Sequence, residues 1–166
     1  MARKQSFAEL ESFVATRGRA LLASATLLTG SREAGEDLLQ HALERVMRRW
    51  HRIDGDPEGY LRRTMYNLAT DRWRRLGRHR DVVARLPMRQ VDDHADEVDL
   101  RDALVRALSQ ISPQQRAVLV LRYWDQLSEA EIARTLGCST GTVKSAGSRG
   151  LKRLRELTGA DLARLS

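Results

Sequence analysis

The chain is poor in the residues that usually announce chemistry. It has one cysteine, three prolines, four histidines, two phenylalanines, three tyrosines and three tryptophans in 166 residues. A lone Cys138 excludes an intramolecular disulfide and any multi-cysteine zinc cage, and it reads as a small, half-buried filler. His41, His51, His79 and His94 are scattered without the spacing of metal ligands. No apolar run approaches the roughly 20 residues of a membrane-crossing helix, and the opening MARKQSFAELESF lacks the continuous apolar core of a signal peptide. The expectation is a soluble cytoplasmic protein that does not insert into membranes. No alternating pattern of strand length is present either, so the expected fold class is all-α.

What is abundant is positive charge. Lys and Arg total 29 against 22 Asp and Glu, a net charge of +7, and arginine dominates over lysine. That balance favours an acidic polymer or surface as partner, and arginine suits bidentate contacts to phosphate and guanine. Nucleic acid leads, with a membrane surface behind it.

Residues 127–157, LSEAEIARTLGCSTGTVKSAGSRGLKRLREL, carry the sharpest local signal. Ser128 with Glu131 three residues on makes a capping box, and Ile132, Ala133 and Leu136 give the following short helix one apolar side. Gly137 ends it. Ser139 caps a second helix whose apolar positions are Val143, Ala146, Gly150, Leu151 and Leu154, leaving a basic, hydroxyl-rich face with Thr140, Thr142, Lys144, Ser145, Ser148 and Arg149. Two capped helices around a glycine turn describe a helix-turn-helix, whose second helix fits the major groove of DNA. Hydroxyls at a helix entrance suit a phosphate. A helical hairpin with a merely solvated charged face is the plain alternative. Gly147 and Gly150 each cost about 1 kcal/mol against alanine, so they imply a helix that firms up on its target or one that packs closely against a neighbour.

Upstream, Phe7, Leu10, Phe13, Val14, Leu21, Leu22, Ala25 and Leu28 recur at helical spacing, with Gly18 the weak point. Ser31 caps a second amphipathic helix to Trp50, built on Leu38, Leu39, Ala42, Leu43, Val46 and Met47. Its acids lie toward the N-terminus and its arginines toward the C-terminus, as the helix dipole prefers. Asp56 and Pro57 start a third helix, with Leu61, Thr64, Met65, Leu68 and Trp73 inward and Arg62, Arg63, Tyr66, Asn67, Thr70, Arg74 and Arg75 outward. Basic groups interleaved with aromatic and amide side chains suit single-stranded nucleic acid, although a solvated face has the same composition. Residues 77–98 read as a linker, basic at Gly77 to Arg80, interrupted by Pro87, then acidic at Asp92, Asp93, Asp96, Glu97 and Asp99. The acids lack the glycine turn and terminal glutamate of a calcium loop. Leu100, Leu104, Val105 and Leu108 begin another helix, and Ser112 with Pro113 starts the next, running through Val118, Leu119 and Leu121 to Trp124. The division expected is 1–76, a linker at 77–98, and 99–166: two small helical domains on a tether.

In that order, EDLLQHALERVMRRW, GYLRRTMYNLATDRWRR and ISPQQRAVLVLRYWDQLSEAEIARTLGCSTGTVKSAGSRGLKRLRE give the chain its resemblance. It resembles a bacterial extracytoplasmic-function RNA polymerase sigma factor of the sigma-70 family, the minimal kind with only the second and fourth conserved sigma domains. The resemblance implies a transcription initiation factor, not an enzyme, that needs no cofactor. Its partners would be core RNA polymerase, through the largest-subunit clamp coiled coil and the flap, and promoter DNA; whether an anti-sigma factor also binds is left open. It implies polymerase contacts at Asp37 and Gln40, supported by Arg45, Arg48 and Arg49, with His41 standing where the family commonly has an acid. It places the reading of the melted -10 element at Asn67, with Arg63, Tyr66, Arg74 and Arg75, and base capture at the loop 53–58. The -35 duplex would be met by Thr142, Lys144, Ser145, Ser148 and Arg149, with Arg122 near the phosphates. The family's linker runs toward the RNA path of the polymerase, where the acidic run would act as a nucleic-acid mimic.

Two rivals are weaker. A free-standing helix-turn-helix regulator leaves the helices of Asp37 and Asn67 without work. A metal-dependent nuclease built on Asp92, Asp93, Asp96 and Glu97 lacks a partnering His or Lys constellation.

Overall fold

The computed structural model describes the backbone of residues 7–78 and 96–162, and the side chains of 7–76 and 101–159. Seven α-helices account for nearly all of it, and no strand occurs among the described residues. The first unit contains α1 (Phe7–Thr29), α2 (Arg32–Arg49) and α3 (Pro57–Arg78), with a 3-10 turn (Trp50–Arg52) after α2. Gly18 does not break α1, which is continuous. Gly30, at φ +89°, reverses the chain, and the Ser31 hydroxyl accepts from Ala34 N at 3.2 Å to cap α2. A left-handed residue is cheap only for glycine, so the α1–α2 turn depends on it.

The crossing of these two helices depends on a second glycine. A Cβ at Gly35 would fall 2.7 Å from the backbone nitrogen of Thr26, so no side chain fits where α2 passes over α1. Leu38, Ala42 and Val46 then recur every four residues along one side of α2 and are buried with Leu21, Leu28, Leu61 and Met65. Trp50 closes that core at its end, 6.2 Å from the Phe13 ring. The Asp56 carboxylate accepts from Gly59 N at 2.9 Å and caps α3, as its position before Pro57 requires.

The second unit contains α4 (Asp96–Ser109), α5 (Pro113–Leu119), a π-helical turn (Val120–Trp124), α6 (Glu129–Leu136) and α7 (Thr140–Leu162). Helices therefore enter the expected linker from both sides, and its residues 79–95 lie outside the described ones. Of the acidic run, Asp92 and Asp93 lie outside as well, whereas Asp96, Glu97 and Asp99 belong to α4. Ser112 caps α5 through Gln115 N at 3.3 Å. The expected single helix to Trp124 instead loosens after Leu119: Asp125 N donates to Val120 O at 3.0 Å, a five-residue step.

Arg116 is the buried ion of this unit, 8% exposed. Its Nε donates to Leu108 O at 2.8 Å and its Nη2 to Ser109 O at 3.1 Å and Ile111 O at 3.4 Å. Nη1 reaches Leu28 O at 2.9 Å, and the guanidinium carbon stands 5.8 Å from the Trp73 ring centre. The C-termini of α4 and α1 leave carbonyls without intrahelical donors, and one planar cation serves both. The two units are thus packed together, α1 and α3 against α4, α5 and α6, and one cluster of buried apolar side chains runs through both.

Candidate nucleic-acid interface

The helix-turn-helix forms from the signals read in it. Glu131 N donates to the Ser128 hydroxyl at 3.3 Å, and Ser128 N returns a bond to the Glu131 carboxylate at 2.8 Å, a complete capping box. These two residues' bonds hold the Glu131 carboxyl below its ordinary pKa. Ile132 and Ala133 turn inward, and Gly137 at φ +66° ends α6 in the left-handed conformation. Ser139 then accepts from Thr142 N at 3.1 Å and opens α7.

Along α7, Val143 and Ala146 are buried, while Lys144, Ser145, Ser148 and Arg149 were expected together on the other side. All four are exposed on the side away from Val143, and the Arg149 Nε donates back to Ser145 O at 3.3 Å. Thr142 is half-buried, its hydroxyl 2.9 Å from that of Ser139, so it belongs partly to the helix entrance. The two glycines prove to be packing residues. A Cβ at Gly150 would sit 3.0 Å from Gln115 Cβ and 3.3 Å from Leu119 Cδ1; one at Gly147 would sit 3.1 Å from Arg122 Nη1. Their cost in helix propensity permits α7 to lie close on α5 and lets the Arg122 side chain pass over it.

Arg122 emerges from the π-helical turn and is half-buried, with Nη2 2.6 Å from Glu129 Oε1. Lys144 Nζ lies 3.7 Å from Glu129 Oε2. One carboxylate therefore tethers two cations that the resemblance assigns to DNA. Glu129 escaped the sequence reading because its partners come from the preceding turn and the following helix, which no local spacing relates.

On the first unit, Asp37, Gln40, Arg45, Arg48 and Arg49 lie along α2, and all five are exposed. Asp37 Oδ2 lies 3.6 Å from His41 Nδ1 and 3.9 Å from Arg72 Nη1, and Gln40 donates to Glu44 at 3.4 Å. Met47 adds an exposed apolar side chain beside them. On α3, Arg63, Asn67, Arg74 and Arg75 are exposed. Tyr66 is not: it is 1% exposed, which corrects its expected outward position. One turn along from Arg62, it lies on the side of α3 that the second unit covers, and its hydroxyl is 3.4 Å from Asp125 Oδ2. Burial, with Asp125 beside it, pushes its phenol well above the usual value. The loop before α3 borders an open cleft lined by Glu9, Phe13, Trp50, Ile53, Asp54, Gly55 and Pro57. Asp54 and Gly55 are exposed there, beside the apolar wall of Phe13 and Trp50.

The described residues thus present three surfaces: an acid-and-arginine face on α2, a basic and amide face on α3, and a basic, hydroxyl-bearing face on α7. Among them no helix is long and apolar enough to cross a membrane. The family model described as "Sigma-70 region 2" matches residues 13–79, and that described as "Sigma-70, region 4" matches residues 101–154. The chain is 42% identical over 150 residues to the RNA polymerase sigma-E factor of Streptomyces coelicolor, covering 89% of this chain and 85% of that one. With the sigma-E factor of Streptomyces avermitilis the identity is 43%, covering 89% and 84%. Among solved structures, the sigma factor RpoE of Bartonella quintana, in complex with the anti-sigma factor NepR, superposes with a TM-score of 0.74 at 26% identity, covering 92% of this chain and 98% of that one.

Proposed function

The chain belongs to the extracytoplasmic-function branch of the RNA polymerase sigma-70 family, and from that premise we propose how its residues divide the work. It is a bacterial transcription initiation factor that binds core RNA polymerase and directs it to promoters. In the reading proposed here, α2 docks on the clamp coiled coil of the largest subunit through Asp37 and Gln40, with Arg45, Arg48 and Arg49 around them. The exposed side of α3, with Arg63, Asn67, Arg74 and Arg75, reads the opened -10 strand, and the cleft beside Asp54 and Gly55 takes a flipped base. Unstacking costs a few kcal/mol, which stacking and phosphate contacts on such a face offset. The α7 face of Lys144, Ser145, Ser148 and Arg149 enters the major groove at the -35 element, with Thr142 and Arg122 toward the phosphates.

Neither surface binds strongly alone. Once polymerase fixes their separation, the second contact becomes intramolecular and gains from effective concentration. Phosphodiester chemistry belongs to the polymerase, so no catalytic role is assigned to this chain, and its place is the cytoplasm, with the polymerase and the promoters. An anti-sigma partner, of the kind solved with the Bartonella relative, is consistent with this assignment and is tested by co-purification.

The observation that carries the reading is the sidedness of α7: Ser139 caps its entrance, Val143 and Ala146 anchor one side, and polar and basic donors line the other. The test is run-off transcription by core polymerase on a promoter library, with and without the protein. Asp37→Arg, which disrupts only surface pairs, should abolish co-purification with core and the transcripts together while leaving the circular dichroism intact. Retained binding would remove α2 from the docking role.

A further inference from the structure

A surface that meets phosphates gains nothing from a carboxylate unless the carboxylate has other work, because like charges brought together across an interface repel. Yet α6 opens with an acid turned toward such a surface. Of the two glutamates in its first turn, Glu131 is spent on the capping box, its carboxylate accepting from Ser128 N at 2.8 Å and from the Ser128 hydroxyl at 2.7 Å. Glu129 reaches instead out of its own helix, to the π-helical turn before it and to α7 after it.

Its two oxygens divide between two cations. Oε1 accepts from Arg122 Nη2 at 2.6 Å, and Oε2 stands 3.7 Å from Lys144 Nζ. The arrangement needs the bare backbone of Gly147, where a Cβ would lie 3.1 Å from Arg122 Nη1 and 3.7 Å from the guanidinium carbon, so that the guanidinium rests on α7 one turn along from Lys144. The side chains of Arg122 and Glu129 are 25% and 38% exposed, whereas that of Lys144 is 67% exposed. The inner pair is therefore short and partly sheltered from water and salt, while the outer pair is open and loose. Two cations and one anion carry a net +1, so half of the charge this corner has for DNA is already cancelled within the protein. Lys144 is free to swing to a phosphate or a base edge, leaving Arg122 behind on Glu129.

We propose that Glu129 is an internal counter-anion for the α7 face, occupying Arg122 and Lys144 in place of a DNA phosphate and so setting the affinity of that face for any duplex. A carboxylate that competes for the cations taxes right and wrong sequences alike, so it lowers affinity and leaves the ratio between them unchanged. The purpose lies in what the chain avoids. Chromosomal DNA offers about 10⁶–10⁹ competing sites, and an unopposed basic helix would be held on them before it met polymerase. With Glu129 in place, useful affinity comes only with polymerase, through effective concentration. The inference rests on the assignment of α7 to the -35 duplex, and its test separates the two.

The full-length protein, without polymerase, is titrated at several ionic strengths with a short duplex of mixed sequence and with a promoter fragment recovered from the transcription library. Glu129→Gln keeps the shape of the side chain and removes its charge. It should steepen the dependence of log affinity on log salt by about 0.9, for one further phosphate neutralised, which at about 0.1 M salt is a gain of up to about eightfold on either duplex. Glu33→Gln, at an exposed position of α2, raises the net charge equally and should change neither quantity. Circular dichroism checks that both variants are folded. Unchanged or weaker binding by Glu129→Gln, a gain on only one of the two duplexes, or an equal gain from Glu33→Gln overturns the counter-anion. If instead Lys144→Ala with Arg149→Ala leaves both affinities and both salt slopes at their wild-type values, the -35 assignment of α7 fails.

Discussion

Replacing Arg116 by alanine gives the most direct test of how this fold is held. The substitution removes donors from the carbonyls of Leu108, Ser109 and Ile111 within the second unit and of Leu28 in the first. Each buried carbonyl left without a donor costs about 1–3 kcal/mol, offset by removal of a buried cation that was itself expensive to desolvate. Removing the cation from beside the Trp73 ring adds about 0.5–2 kcal/mol. Since water can reach part of the vacated space, the lower half of the range applies to each carbonyl, and the net loss is about 3–5 kcal/mol. For a chain of this size that lowers the melting temperature by about 10–15 °C. Arg116→Lys keeps the charge but not the fork of donors, and should fall between. Urea unfolding followed by circular dichroism measures the loss directly. A loss below about 1 kcal/mol for Arg116→Ala would refute the reasoning, because it would mean those helix ends find other donors at no cost.

Gly150→Ala should destabilise by about 1–2 kcal/mol, because a Cβ placed 3.0 Å from Gln115 Cβ outweighs the gain of about 1 kcal/mol in propensity. Gly141→Ala, where the nearest side-chain atom is 3.7 Å away, should be neutral or stabilising; the same melts check both. Lys144→Ala with Arg149→Ala should weaken -35 binding and flatten its dependence on log salt by about 0.9 for each phosphate no longer neutralised, measured by footprinting at several ionic strengths. Asn67→Ala should impair promoter opening more than polymerase binding, seen as reduced permanganate reactivity of promoter thymines. The folded-state pKa of Glu131 is depressed, so its contribution is present above the unfolded carboxyl value of about 4.3 and fades as pH falls through the folded one. The stability gap between wild type and Glu131→Gln should therefore close as pH falls from about 5 to about 3, and a gap that persists in acid would contradict the capping role.

Much of this architecture was legible because its signals are local. Ser31, Asp56, Ser112, Ser128 and Ser139 each cap the helix expected of them, and Gly137 ends α6 as a left-handed residue. The polar faces of α2 and α7 followed from spacing alone. What escaped depends on partners far along the chain. Tyr66 follows Met65 on a helix whose apolar side is wide, and only the position of Asp125 decides that it is covered. Arg116, lying in PQQRAVL, differs from a solvated arginine only through the helix ends that converge on it. Gly147 and Gly150 left two readings open, a helix that firms up on its target or one packed closely on a neighbour, and only the position of α5 and Arg122 against them decides for packing.

The π-helical turn at Val120–Trp124 has a consequence for how such a chain tolerates change in length. One additional residue there rotates everything downstream by about 100° about the local axis relative to an unbroken helix. Deleting a single residue from the turn would restore ordinary winding, carry the Asp125 carboxylate round to another azimuth, and leave each half intact with a mismatched mating edge. Numbering shifts of one within that pentad therefore act on the phase between the halves, as a tooth skipped on a gear would.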